Sequence, residues 1–88
     1  MNEAKMLGRH QSQLMLILEE VSERGWSFID WWKMYRWYGV KKIRKEPYRD
    51  IKDRWEEMTG GDELYVVEMN PWGLLLMNRE PTEISKKV

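Results

Sequence analysis

Three stretches of this chain repeat their apolar residues at helical spacing, and at Leu64 the period drops to two. Helices first and a strand pair last, within 88 residues, leave room for one small α+β domain with one core. In the first stretch Leu14, Ile17, Leu18 and Val21 fall at i, i+3, i+4 and i+7, which predicts a helix from about His10 to Arg24, ended by Gly25. The second opens on Ser27 with Asp30 three residues on, the spacing of a capping box in which the hydroxyl and the carboxylate satisfy backbone N–H groups reciprocally. A helix from Phe28 to Tyr38 is therefore expected, with Phe28, Trp31, Trp32 and Tyr35 on a broad face and Gly39 as its left-handed terminator. The third stretch carries Tyr48, Ile51, Trp55 and Met58. Pro47 stands at its first helical position, where a missing N–H costs least, and Gly60-Gly61 stops it.

Leu64 to Met69 is rich in strand formers. Asn70-Pro71-Trp72-Gly73 then reads as a type I turn, after which Leu74 to Asn78 returns antiparallel. Alternation places Tyr65, Val67 and Met69 on one face and Leu64 and Val66 on the other. A lone hairpin is marginal in water, so it must pack on the helices. The expected core joins Leu14, Ile17, Leu18, Val21, Trp32, Ile51 and Trp55 to one face of the hairpin. A single domain over residues 1–88 is expected, with residues 1–9 and 80–88 as loosely ordered ends.

Absences narrow the chemistry. Without cysteine there is neither a disulfide framework nor a thiolate metal site. No apolar run approaches the roughly 20 residues of a membrane span, and Met1 to Gln13 is too polar for a signal peptide. A soluble, cytoplasmic protein is the expectation. His10 is the only histidine, reads as an exposed helix-terminal residue, and has no serine or cysteine motif near it. Glu19-Glu20 and Glu56-Glu57 are neighbours in sequence, which turns their carboxylates about 100° apart on a helix. No enzyme, cofactor, metal or small-molecule substrate is expected.

Charge is uneven along the chain although the formal total is zero. Between Lys41 and Arg54 seven basic residues stand against three acidic ones, so that segment is +4 and the remainder −4. One reading is a face that meets phosphates while the rest keeps the chain soluble. The other is a solvated turn whose lysines pair with Asp50 and Asp53.

With its aromatic helix ending at Gly39-Val40, its helix from Pro47 to Met58 and its hairpin around Pro71-Trp72-Gly73, the chain resembles the winged helix-turn-helix family over roughly Gln11 to Arg79. The resemblance implies three helices followed by a two-stranded wing, with double-stranded DNA as partner and transcription regulation as role. It places Lys41, Lys42, Arg44 and Lys45 on phosphates and turns Arg49, Lys52, Asp53 and Glu56 toward base edges in the major groove. Lys41 to Glu46 is a longer connection than the family's tight turn, which leaves the docking angle of the third helix open. Trp72 is the candidate wing contact, or else folds back onto the core, which is the preferred reading. Met34 and Trp37 are either core residues or an exposed apolar patch for dimerisation or for another protein. A homodimer would suit paired half-sites on DNA. The alternative function is a winged-helix protein-interaction module that uses the aromatic surface of helix 28–38.

Overall fold

The computed structural model describes residues 6–39 and 45–80. In chain order they form α1 (Gly8–Arg24), β1 (Trp26–Asp30), α2 (Trp31–Tyr38), α3 (Lys45–Thr59), β2 (Tyr65–Met69) and β3 (Gly73–Met77). The strands make one antiparallel sheet in the order β1-β3-β2. This is the α+β arrangement of three helices and a wing that the sequence leads one to expect, with one strand more.

That extra strand corrects the start of the second helix. Residues 26–30 alternate, with Ser27 and Ile29 buried and Trp26 and Phe28 exposed, which is the period of a strand. They pair with the return strand of the hairpin as Trp26↔Met77, Phe28↔Leu75 and Asp30↔Gly73. Ser27 does not cap a helix; its hydroxyl donates to Glu20 Oε1 at 2.7 Å, tying β1 to α1. The cap is Asp30, whose Oδ1 accepts from the Lys33 N–H at 2.9 Å.

At the other end of β1, Gly25 takes φ 102° and donates its N–H to the Val21 carbonyl at 2.8 Å, ending α1 as its sequence suggests. Asn78 closes the same corner. Its N–H donates to the Gly25 carbonyl at 3.1 Å and its Nδ2 to the Val21 carbonyl at 3.3 Å.

The core lies between the helices and the inner sheet face, which Ile29, Leu74 and Leu76 supply. Leu14, Leu18 and Val21 of α1 and Ile51 and Trp55 of α3 meet them there as expected, while Ile17 is half-buried. Trp32 does not belong to it, being 66% exposed. Because α2 begins at Trp31, its buried positions are Met34 and Trp37, with Trp31 and Tyr38 half-buried beside them. Trp37 also donates from Nε1 to Gln13 Oε1 at 3.1 Å, fastening α2 to α1.

The hairpin turn is also one residue out from the type I reading. The Asn70–Pro71 peptide is cis, and the Trp72 N–H closes the turn on the Met69 carbonyl at 2.7 Å, so proline is third in the turn and not second. Gly73 follows because nothing larger fits. A Cβ there would lie 2.3 Å from the Ile29 carbonyl oxygen, 2.6 Å from the Asp30 Cα and 2.7 Å from the Phe28 ring.

The outer sheet face is apolar throughout its first two rows, Trp26-Met77-Tyr65 and Phe28-Leu75-Val67, with Met69 beside Gly73 in the third. Met77 is buried in the centre of its row, flanked by two aromatic rings. Trp26, Phe28 and Met69 remain exposed, and the Arg24 guanidinium lies 4.1 Å over the Trp26 ring.

Candidate nucleic-acid interface

The first half of α3 is held from two sides. Toward α2, the Tyr38 hydroxyl donates to Asp50 Oδ2 at 2.8 Å, and the Arg54 Nε donates to the same oxygen at 2.8 Å. Burial, then the bond to Asp50, raises the Tyr38 pKa well above the ordinary phenol value, so it remains a donor through the neutral range. Toward the wing, the Tyr48 hydroxyl donates to Glu68 on β2, and burial followed by that bond raises its pKa in the same way. These two ties set the angle at which α3 lies against α2 and the hairpin.

Helical geometry then sorts the charges of α3. Lys45, Arg49 and Lys52 fall at i, i+4 and i+7, on the flank next to Tyr48 and therefore toward the wing. Glu56 falls among them, whereas Glu46, Asp53 and Glu57 lie on the side of Asp50, toward α2, with Asp53 one turn on from Arg49. Lys45, Arg49, Lys52 and Asp53 are all exposed. Lys52 pairs with Glu56 at 3.7 Å on the open surface, a contact worth only a few tenths of a kcal/mol. Lys45 and Arg49 form no ion pair with any described residue. Lys41, Lys42 and Arg44, expected on phosphates, lie outside the described residues.

The wing tip is fastened to the start of α2. The Trp31 N–H donates to the Trp72 carbonyl at 3.1 Å, and the Trp31 Nε1 donates to Asn70 Oδ1 at 3.0 Å. Trp72 is 66% exposed, so the preference for burying it in the core is corrected. The tip is pinned by backbone and by Asn70, which frees its indole from any need to pack inward. Met34 at 0% and Trp37 at 4% exposure are core residues, and no patch for a partner can be built on them. The exposed aromatic side of α2 is Trp32 and Tyr35, joined by Lys33 and Arg36, whose guanidinium lies 6.0 Å from the Trp32 ring.

Sequence reasoning missed Trp32, Lys33, Tyr35 and Arg36 as a surface. The alternation of residues 26–30 was the available signal, since it takes Phe28 out of the helix and with it the i to i+7 stripe that had turned Trp32 and Tyr35 inward. His10, expected at the surface, is buried, and its Nδ1 has no partner among the described residues. Burial, then the charges of Arg9 and Arg36, holds its pKa below the ordinary value. At the far end of α3, Glu19, Glu23 and Asp62 line a shallow acidic depression between α1 and α3. Among the described residues no group of three His, Asp or Glu side chains could hold a metal, and no helix is long and apolar enough to cross a membrane.

No known protein family, no characterised protein and no solved structure matches this chain.

Proposed function

We propose that this domain binds duplex DNA and serves as a small transcriptional regulator, with the first half of α3 meeting the major groove and the wing its rim. The observation that carries the reading is the placing of Lys45, Arg49 and Lys52 on one face of α3 next to the wing, with Glu56 among them and paired to Lys52, while Glu46, Asp50, Asp53 and Glu57 lie on the side toward α2. A phosphate backbone running between α3 and the hairpin would meet cations on that side and release the counterions they displace. Lys45, at the helix start, serves a phosphate; Arg49 and Lys52 reach base edges, and Asp53 accepts from a cytosine amino group.

The test is fluorescence anisotropy against specific and scrambled duplexes at two salt concentrations. Lys45→Ala weakens binding to every sequence and lowers the salt slope by about one unit. Arg49→Ala costs roughly 1 to 3 kcal/mol at the preferred site and relaxes base preference there. A wild-type protein with no salt-dependent affinity for any duplex refutes the proposal.

A second reading, a protein-interaction module, now draws on the outer sheet face and not on Met34 and Trp37. Its apolar rows carry no charged side chain, and a formal net charge of zero sets up no repulsion between copies, which suits a second molecule of this chain. Sedimentation of the wild type beside Met69→Lys separates the readings, because a dimer formed through this face dissociates in the variant.

A further inference from the structure

Trp32 and Trp72 are the two most exposed aromatic side chains of the described structure, each 66% open to solvent. They lie 40 residues apart in sequence, yet the hydrogen bond from the Trp31 N–H to the Trp72 carbonyl brings their backbones side by side. Neither is on a loose segment. Trp32 sits in the first turn of a helix capped by Asp30, and the tip that bears Trp72 is held by both polar groups of Trp31. Indoles carried on a held backbone and left in water offer flat apolar surface, with only two side-chain torsions each to order on binding.

The charges around this seam define what can lie on it. Lys33 and Arg36 are exposed beside Trp32, and Tyr48 brings the cationic flank of α3 to the neighbouring strand through Glu68. Two carboxylates on the same elements each accept a hydrogen bond within the domain, Asp30 from the Lys33 N–H and Glu68 from the Tyr48 hydroxyl. A planar ligand carrying negative charge fits an aromatic surface bordered by cations, and a nucleobase with its phosphate is such a ligand. The wing tip itself has no Lys or Arg with which to hold an intact backbone.

We propose that the seam between α2 and the wing tip stacks an unpaired nucleotide of the bound DNA on Trp72 and Trp32, so that the preferred ligand is a duplex interrupted by unpaired bases. The inference rests on the duplex-binding reading above. It gives Trp72 the role of an aromatic stacking surface where a basic residue would hold phosphate.

The experiment compares three labelled probes: an intact duplex, the same duplex with a two-nucleotide bulge, and one of its single strands. Each is titrated with wild type, Trp72→Ala, Trp72→Phe, Trp32→Ala and Arg49→Ala. Wild type binds the bulged duplex about fivefold or more tightly than the intact one. Trp72→Ala and Trp32→Ala lose that preference, the bulged duplex falling to the affinity of the intact one; Trp72→Phe retains most of it, since a phenyl ring still stacks. Arg49→Ala weakens both duplexes together. Because both indoles are exposed, unchanged melting temperatures show that the alanine variants are folded. Equal wild-type affinity for bulged and intact duplexes overturns the stacking proposal and leaves duplex binding standing, as does a preference that survives Trp72→Ala. Tightest binding to the single strand, with none to the intact duplex, overturns the duplex reading and with it the bulge preference; no binding to any probe overturns both.

Discussion

The core and the seam of this domain are held together by different forces. Around Ile29, Leu74, Leu76, Trp55 and the α1 stripe, side chains are removed from water almost completely, and polar partners are so few that the Trp55 Nε1 has none among the described residues. Burial of this kind stabilises by area, and a missing indole bond is outweighed by the surface its ring removes from solvent. Between α2, the start of α3 and the wing tip the balance reverses. There the aromatic rings of Trp32 and Trp72 lie in water, while Trp31, Tyr38, Tyr48 and Asp30 make specific hydrogen bonds that fix the backbone beneath them. One region supplies stability and the other supplies shape, so substitutions in the two should be separable in their effects.

The sharpest break in that division would come from the middle of the core. Trp55 is 1% exposed, and replacing it with alanine should cost roughly 3 to 5 kcal/mol, the usual range for emptying an aromatic core site. In an 88-residue domain that approaches the whole net stability, so a large fall in the chemical-denaturation midpoint is expected. Trp72→Ala, by contrast, should leave the midpoint nearly where it was. Equal shifts in the two variants would show that the seam carries as much of the fold as the core does.

A smaller effect is expected where the two regions join. Gly73 starts β3 directly after the wing tip and lies under the backbone of Ile29 and Asp30. Alanine at this position drives a methyl group into main-chain atoms, which cannot swing aside as a side chain can, so β1 and β3 must separate locally. A loss of about 2 kcal/mol is expected from thermal or urea unfolding, within the range for overpacking a filled site. The damage should be concentrated at the Asp30 end of the strand pair, with amides of Phe28 to Trp31 exchanging faster while those near Trp26 and Met77 stay protected. Uniform loss of protection along the sheet would mean that the seam and the core unfold as one unit.

What the sequence disclosed follows the same division. The core of α1 and α3 was legible because Leu14, Leu18, Val21, Ile51 and Trp55 obey one helical period over more than two turns, and burial follows period. The hairpin was legible because its turn residues stand between two apolar runs. β1 was not, since five residues between Gly25 and a helix offer too short a window, and the Ser27–Asp30 spacing imitates a capping box. The true cap sits at the last residue of that pattern. Counting Phe28 into the helix made Phe28, Trp31, Trp32 and Tyr35 an i, i+3, i+4, i+7 stripe and carried Trp32 into the expected core; with Phe28 on β1 the buried positions of α2 are Met34 and Trp37, which the sequence left open between core and surface. The pairing of β1 with β3 joins residues more than forty positions apart, and no local pattern announces it. At the candidate interface, the positions of Lys45, Arg49 and Lys52 on an exposed helix face were readable, whereas the fastening of Trp31 to the wing tip needed the sheet to be in place.

The smallest of these effects tests that misread cap directly. With Asp30 as N-cap, its carboxylate satisfies the Lys33 N–H, and Asp30→Ala should cost about 1 kcal/mol, within the usual range for losing such a cap. Asp30→Asn keeps an acceptor in place and should remain close to wild type. Loss of the cap frays the first turn of α2, which is where Trp31 holds the Trp72 carbonyl and Asn70. The Trp31 indole N–H should therefore exchange faster with solvent in Asp30→Ala, while that of Trp37, bonded to Gln13 on the opposite side of α2, serves as an unmoved reference. Faster exchange at Trp31 with little loss of global stability is what separate roles for seam and core require. If Trp31 and Trp37 respond alike, α2 is a single rigid piece of the core and the wing tip draws its position from elsewhere.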